Sequence, residues 1–188
     1  MTYAAILQSA TQLLSRTGLD GFNTNAIAER AGTSIGTLYQ YFPNKEAVML
    51  ELIHRQKRDM LANIYEAMRD ASGRTLDEAV RLLIQGRVKH LRGDPPIAWV
   101  ITQQEQSLPI PHVRADHLAQ GSQVFMRGLS YWGPTVQDVD PLQLSRTIPA
   151  LVRGVIEHWT DGSQRGLDVA EREAVDCVLG YLDRQQRR

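Results

Sequence analysis

Two short helical segments hinged on a glycine constrain this chain more than any other feature. Asn23, whose short polar side chain suits an N-cap, opens a stretch that runs to Ala31 and meets Gly32. A second stretch begins after Thr33 or Ser34 and ends near Phe42, where Pro43 breaks it. Helices joined by so short a turn cross steeply, so their contact needs a small side chain, which Ala28 supplies. Four positions later the turn needs a residue tolerant of positive φ, and Gly32 provides it. Ile27, Ala31 and Leu38 recur at the intervals that anchor one helix on the other. The pattern over about 23–42 is a helix-turn-helix, whose second helix enters the major groove of DNA.

On that second helix the outward residues are Ser34, Ile35, Gly36, Thr37, Tyr39, Gln40 and Tyr41. Their hydroxyl and amide groups reach phosphate oxygens and base edges, and Gly36 permits close approach. Charge adds nothing to this. The chain carries 21 basic and 21 acidic residues, for a formal net charge of zero. Residues 1–50 balance as well, with Arg16, Arg30 and Lys45 against Asp20, Glu29 and Glu46. Phosphate contact must therefore come largely from backbone amides, hydroxyls and helix N-termini.

The run from Gly18 to Ala47 resembles, without a gap, the N-terminal domain of the tetracycline-repressor (TetR) family. The most specific part is Gly36-Thr37-Leu38-Tyr39 followed by Tyr41-Phe42-Pro43-Asn44-Lys45-Glu46. By motif the likeness covers about residues 4–50; the remainder agrees in helix count and layout. The resemblance implies that Thr37 and Tyr39 contact phosphate or bases and that Tyr41 lies against the backbone. Lys45, at the start of the next helix, would pair with a phosphate. Thr24 and Asn25 would touch the opposite groove wall, with Thr33, Ser34 and Gly36 completing the DNA-facing set. Gln40 stands where the family often has His, and its amide suits an adenine edge in bidentate fashion. Ile35 stands where Lys or another polar residue is common, and either packs in the turn or meets a thymine methyl. Tyr41 could also serve as a core aromatic. The segment before the first helix, Met1-Thr-Tyr-Ala-Ala, lacks the usual basic residues. For each cation missing from a phosphate, the salt dependence of binding flattens by about one unit.

Elsewhere the periodicity is helical throughout and no stretch alternates as a strand would. The first helix places Ile6, Leu7, Ala10, Leu13 and Leu14 on one face and stops at Gly18. Asn44 caps a long helix through Met68, and further helices are expected at Leu76–Arg92, Ile97–Ser107, Val113–Trp132, Pro141–Thr160 and Asp168–Gln185. The expected fold is all-α, with about nine helices. A three-helix DNA-binding domain occupies residues 1–50, and a helical ligand-binding and dimerisation domain occupies 51–188.

In the second domain Trp99, Phe125 and Trp132, with Gln103 and His117 as polar groups, either line a ligand cavity or pack as core. Leu144, Ile148, Leu151, Val155 and Trp159 make the first C-terminal helix broadly apolar, and Val175, Val178 and Leu182 mark the second. Two such helices from each subunit would form the four-helix interface of a C2 dimer, as the resemblance also implies; the alternative is an internal core.

Catalytic and metal chemistry find no footing. His54, His90, His112, His117 and His158 lack metal-ligand spacing, apart from His112/Asp116/His117 and Glu157-His158, which read as solvated faces. No phosphate loop or nucleophile elbow is present, so neither enzyme activity nor a cofactor is expected. A single Cys177, set among Val175, Val178 and Leu179, excludes an internal disulfide, fits a reducing cytoplasm and reads as a buried small hydrophobe. No membrane-spanning run or signal peptide is evident. The expected protein is a cytoplasmic homodimeric regulator that binds a palindromic operator and is released by a small-molecule effector. The alternative is a ligand-sensing or protein-interaction dimer that has lost operator binding.

Overall fold

A computed structural model of the chain describes residues 3–110 and 140–186, together with 115–116, 119–121 and 123–124. Among these residues no strand forms. The helices are α1 (Tyr3–Thr17), α2 (Thr24–Arg30), α3 (Ile35–Tyr41), α4 (Lys45–Asp70), α5 (Leu76–Lys89), α6 (Pro95–Ser107), α7 (Pro141–Trp159) and α8 (Gln164–Gln186). Residues 115–116, 119–121 and 123–124 are also helical and fall within the helix expected over Val113–Trp132.

By packing, the chain divides into two units. One is Met1–Gln56 with Pro96–Leu108, and the other is Lys57–Pro95 with Pro109–Arg188. The division thus falls inside α4 and takes α6 into the N-terminal unit. The expected boundary near residue 50 divides roles and does not coincide with this division of packing.

In the first unit α1 buries the expected face, Ile6, Leu7, Ala10, Leu13 and Leu14, and ends at Gly18 with φ +62°. It packs on α2, and the Arg30 guanidinium donates twice to Gln12 Oε1, at 3.1 and 2.9 Å. Phe22, Ile27, Leu38, Phe42, Val48, Leu52 and Ile53 complete the core. The side chain of Gln56 donates to Thr102 Oγ1 at 3.0 Å, tying α4 to α6.

In the second unit a capping box starts α5: Thr75 Oγ1 accepts from the Glu78 N–H, and Glu78 Oε2 accepts from the Thr75 N–H. A Cβ on Gly86 would lie 2.7 Å from Ala67 Cβ and 2.9 Å from the Asn63 carbonyl oxygen, so α4 and α5 pass too closely there for any side chain. Helices α7 and α8 pack side by side, with α8 also against α5. Beyond α5, Arg92 donates to Asp168 Oδ1 at 2.7 Å and Glu171 Oε2 at 2.5 Å. The hydrogen bond from Arg92 holds the Asp168 carboxyl below its usual range.

Two expectations are corrected here. Helix α8 starts at Gln164, ahead of Asp168, because Ser163 Oγ accepts from the Gly166 N–H at 2.9 Å and Asp161 Oδ1 accepts from the Ser163 N–H at 2.9 Å. The Asp-Gly-Ser turn therefore doubles as the helix cap. Cys177 is exposed, not buried. Val175 and Val178 lie three residues apart on one helical face, and Cys177, between them with Asp176, turns to solvent.

The C-terminal residues expected to form a dimer surface divide in the same way. Leu144, Ile148, Val175, Val178 and Leu182 are buried within the single chain. Leu151 and Val155 are half-buried and Trp159 is 44% exposed. Much of the apolar width of α7 and α8 is thus used in the chain's own core.

His90 caps the end of α5, with Nδ1 sealed from solvent and without a hydrogen-bond partner. Burial, reinforced by the positive charges of Arg87 and Lys57, pushes its pKa down to about 2. The unfolded chain therefore binds a proton here, below a pKa of about 6.5, that the folded chain refuses. Stability is fully present above about pH 6.5 and falls as the pH drops through the window below it. Lowering the pH from 7 to 5 should cost about 2 kcal/mol through this group. Urea denaturation of the unmodified chain and of His90→Leu should show that increment only in the former.

Candidate nucleic-acid interface

The α2–α3 pair is assembled by local hydrogen bonds that its sequence makes available. Asn23 has extended backbone, and its Oδ1 accepts from the Ala26 N–H at 2.9 Å. At the other end of α2, Gly32 adopts φ +65°. Its N–H donates to the Glu29 carbonyl and the Thr33 N–H to the Ala28 carbonyl, both at 3.0 Å. This pair of bonds is the Schellman closure, which needs a left-handed residue between them. Ser34 then caps α3, its Oγ accepting from the Thr37 N–H at 3.0 Å and lying 2.9 Å from Thr37 Oγ1. Helix α3 stops where Phe42 turns extended ahead of Pro43. Asn44 Oδ1 accepts from the Ala47 N–H at 2.8 Å and caps α4.

Burial sorts the residues of α3 into two faces. Leu38 is fully buried, as is Ile27 across the turn, with Ala28 and Ala31 also in the core. Facing solvent are Ile35, Tyr39 at 51% and Tyr41 at 45%, with Ser34, Gly36 and Gln40. Thr33 and Thr37 are half-buried. A Cβ on Gly36 would meet only Ser34 Oγ, at 3.8 Å, so the residue keeps an open surface low and fills no internal gap. Thr24 and Asn25 begin α2, and Thr24 Oγ1 lies 3.4 Å from Tyr39 Oη, which brings the start of the supporting helix to the middle of the outer one. Lys45, exposed, is the first residue of α4, where unpaired N–H groups and the helix dipole add to its positive charge. Tyr41 is not a core aromatic; its ring meets that of Tyr3 edge-on at 6.2 Å.

Charge is sparse on this surface. Arg30 donates to the neutral amide of Gln12 and keeps its charge, and Lys45 opens α4 just after α3. What the surface offers is hydroxyls, one amide and aromatic faces, groups that act through orientation at short range.

Of the residues expected to line a ligand cavity, the structure describes two. Trp99 and Gln103 are half-buried on α6, while His117, Phe125 and Trp132 lie outside the described residues. A cleft of about 440 Å³ does open in the second unit between α4 and α5, lined by Asn63, Asp70, Gln85, Lys89, Arg92 and Glu171 among others. Its polar residues gave no periodic signal that separates a cleft from a solvated face. Among the described residues no three His, Cys, Asp or Glu side chains group as metal ligands would.

Residues 6–52 match the family described as bacterial regulatory proteins, tetR family. The HTH-type transcriptional repressor KstR of Mycolicibacterium smegmatis is 35% identical over 186 residues, spanning 93% of this chain and 85% of that one. KstR of Rhodococcus jostii is 26% identical over 184 residues, spanning 93% and 81%. Two solved structures share the fold. The fatty acid degradation regulator FadR of Bacillus halodurans aligns with a TM-score of 0.70 at 24% identity, covering 95% of this chain and 98% of that one. FadR of Bacillus subtilis, solved with stearoyl-CoA, aligns with a TM-score of 0.68 at 21% identity, covering 93% and 96%.

The turn makes a testable demand. Nothing lies within 4 Å of a Cβ built on Gly32, so replacing it meets no steric obstacle from neighbours and strains only the backbone. Gly32→Ala should therefore destabilise the chain by about 1–2 kcal/mol in chemical denaturation, and Gly32→Asn by less, since Asn tolerates this conformation.

Proposed function

The chain belongs to the TetR family of bacterial regulatory proteins and is a DNA-binding transcriptional regulator; from that premise we propose that it represses its targets as a homodimer on a palindromic operator. The observation that carries this reading is the two-faced α3, which buries Leu38 while presenting Tyr39, Gln40 and Tyr41 from a helix capped at both ends. In this reading Tyr39 and Thr37 contact phosphate or bases, Gln40 reads an adenine edge and Ile35 meets a thymine methyl. Tyr41 and Lys45 hold the backbone, and Thr24, Asn25, Thr33, Ser34 and Gly36 border the groove. A dimer would set its two reading helices about 34–36 Å apart, one turn of duplex.

Residues to about 50 then read DNA, and those beyond dimerise and sense a small molecule. Trp159, with the half-buried Leu151 and Val155, supplies the outer apolar contribution of α7 to the dimer. Helix α4 runs unbroken through both packing units and is the lever between them. An effector that binds better to a state with a different spacing of reading helices shifts the population off DNA. Stearoyl-CoA, bound by the similarly folded Bacillus subtilis FadR, is the first effector to try. No described helix is long and apolar enough to cross a membrane, consistent with action where DNA lies, in the cytoplasm.

Fluorescence anisotropy on duplex DNA from upstream of the protein's own gene tests the reading. Tight binding to a palindrome is expected. Tyr39→Ala and Lys45→Ala should each weaken it by about 1–3 kcal/mol, and Lys45→Ala should also lower the salt slope by about one. Salt-sensitive binding blind to sequence would overturn the reading and favour a ligand-sensing dimer without an operator, the alternative favoured by the neutral charge of residues 1–50. The effector is tested separately: stearoyl-CoA should release the palindrome at concentrations that leave a non-specific duplex unaffected.

A further inference from the structure

Tyr3, the first residue of α1, is not among the assigned DNA contacts, yet it takes part in an aromatic array with Tyr41, which is. Its ring stacks on Phe42, with centroids 5.1 Å apart and planes 26° apart, and meets Tyr41 edge-on at 6.2 Å and 63°. The array runs from inside to outside: Phe42 is 4% exposed, Tyr3 39% and Tyr41 45%. Phe42 is fixed doubly, by its burial and by its backbone N–H, which donates to the Leu38 carbonyl at 2.9 Å as the helix closes. A ring stacked on that floor inherits its position. Offset-stacked and edge-on pairs are the geometries aromatic quadrupoles favour, so the Tyr3 contacts attract as well as fill space.

Tyr41 needs such a neighbour. It is the last helical residue of α3, and 45% of it is exposed, so the protein surface restricts its ring only in part. An exposed side chain free to choose among rotamers loses that freedom when it is held against DNA, which weakens binding. A ring already held at its edge loses less. We propose that Tyr3 is a positioning residue for DNA binding, presetting the Tyr41 ring in the orientation it presents to the duplex backbone. The inference rests on the reading of α3 as the DNA-facing helix and extends it to the start of α1, where an aromatic ring orients a contact in a segment without cations.

The test uses the full chain and, as probe, the duplex that the unmodified protein enriches from a random-sequence DNA pool. Affinity is measured for Tyr3→Ala, Tyr3→Phe, Tyr41→Ala and the double variant, with a melting temperature for each. Tyr3→Ala should weaken binding by about twofold to tenfold, the range expected of one aromatic pair and one ordered side chain. Tyr3→Phe should restore the affinity to within about twofold of the unmodified chain, since ring packing and not the hydroxyl does the positioning. In the Tyr41→Ala background, Tyr3→Ala should change affinity by less than about twofold, because the ring it orients is gone. Should Tyr3→Ala lower the melting temperature, Tyr3→Leu, which still covers Phe42 but offers no aromatic face, replaces it with the same expectations. An equal loss in both backgrounds, no loss in either, or a Tyr3→Phe as weak as Tyr3→Ala would overturn the role of Tyr3 while leaving α3 as the reading helix. Failure of the unmodified protein to enrich any sequence would sink both.

Discussion

Between α2 and α3 the N–H groups of Gly32 and Thr33 bend back onto the carbonyls of Glu29 and Ala28, and the residue between them must be left-handed for both bonds to form. The direction of α3 follows from that closure. With α3 so directed, Leu38 falls opposite Ile27 in the buried interior, and the side chains on the other side of the helix have nowhere to go but solvent. Ser34 then holds the first turn of α3 and Phe42 ends it. Each step is short-range and leaves little slack. Loss of the turn would therefore do more than remove a pair of hydrogen bonds; it would re-aim Tyr39, Gln40 and Tyr41 together.

An interface with so little charge must be accurate in its geometry. Electrostatic attraction acts across many ångströms and forgives misplacement, whereas a hydroxyl or an amide contributes only within about 3 Å and over a narrow angle. The braces around α3 match that demand. Thr24 meets the Tyr39 hydroxyl from α2, Tyr3 meets Tyr41 from α1, and Arg30 donates to Gln12 and joins α1 to α2.

The second unit shows the opposite economy, with charged groups in pairs and an uncharged group sealed away. Arg92 is shared by Asp168 and Glu171 on α8, and Lys89 pairs with Glu66 across the α4–α5 cleft at 3.1 Å. These are exposed or half-exposed pairs, whose net worth is small. At Gly86 there is no room for an added methyl, and at the sealed Nδ1 of His90 there is no welcome for a proton.

The amino-acid sequence by itself determined what is local. Asn23 and Asn44 as caps, Gly18 and Gly32 as left-handed stops, and the Gly36–Glu46 block that marks the family were all legible, since each acts within a few residues of itself, while the choice of Ser34 over Thr33 as the cap of α3 came from the structure. The all-helical fold was legible for the same reason, because hydrophobic period is a property of each segment. Tertiary structure decided whatever depends on which faces meet. Cys177 sits among apolar neighbours in sequence yet lies on the solvent side of α8, and Leu144, Ile148, Val175, Val178 and Leu182 are consumed within the chain although their pattern would equally suit a partner. Gly86 is the residue that lets α4 and α5 touch, which depends on a helix distant in the chain. The array of Tyr3, Tyr41 and Phe42 joins residues far apart in the chain, and no periodicity within either segment could announce it.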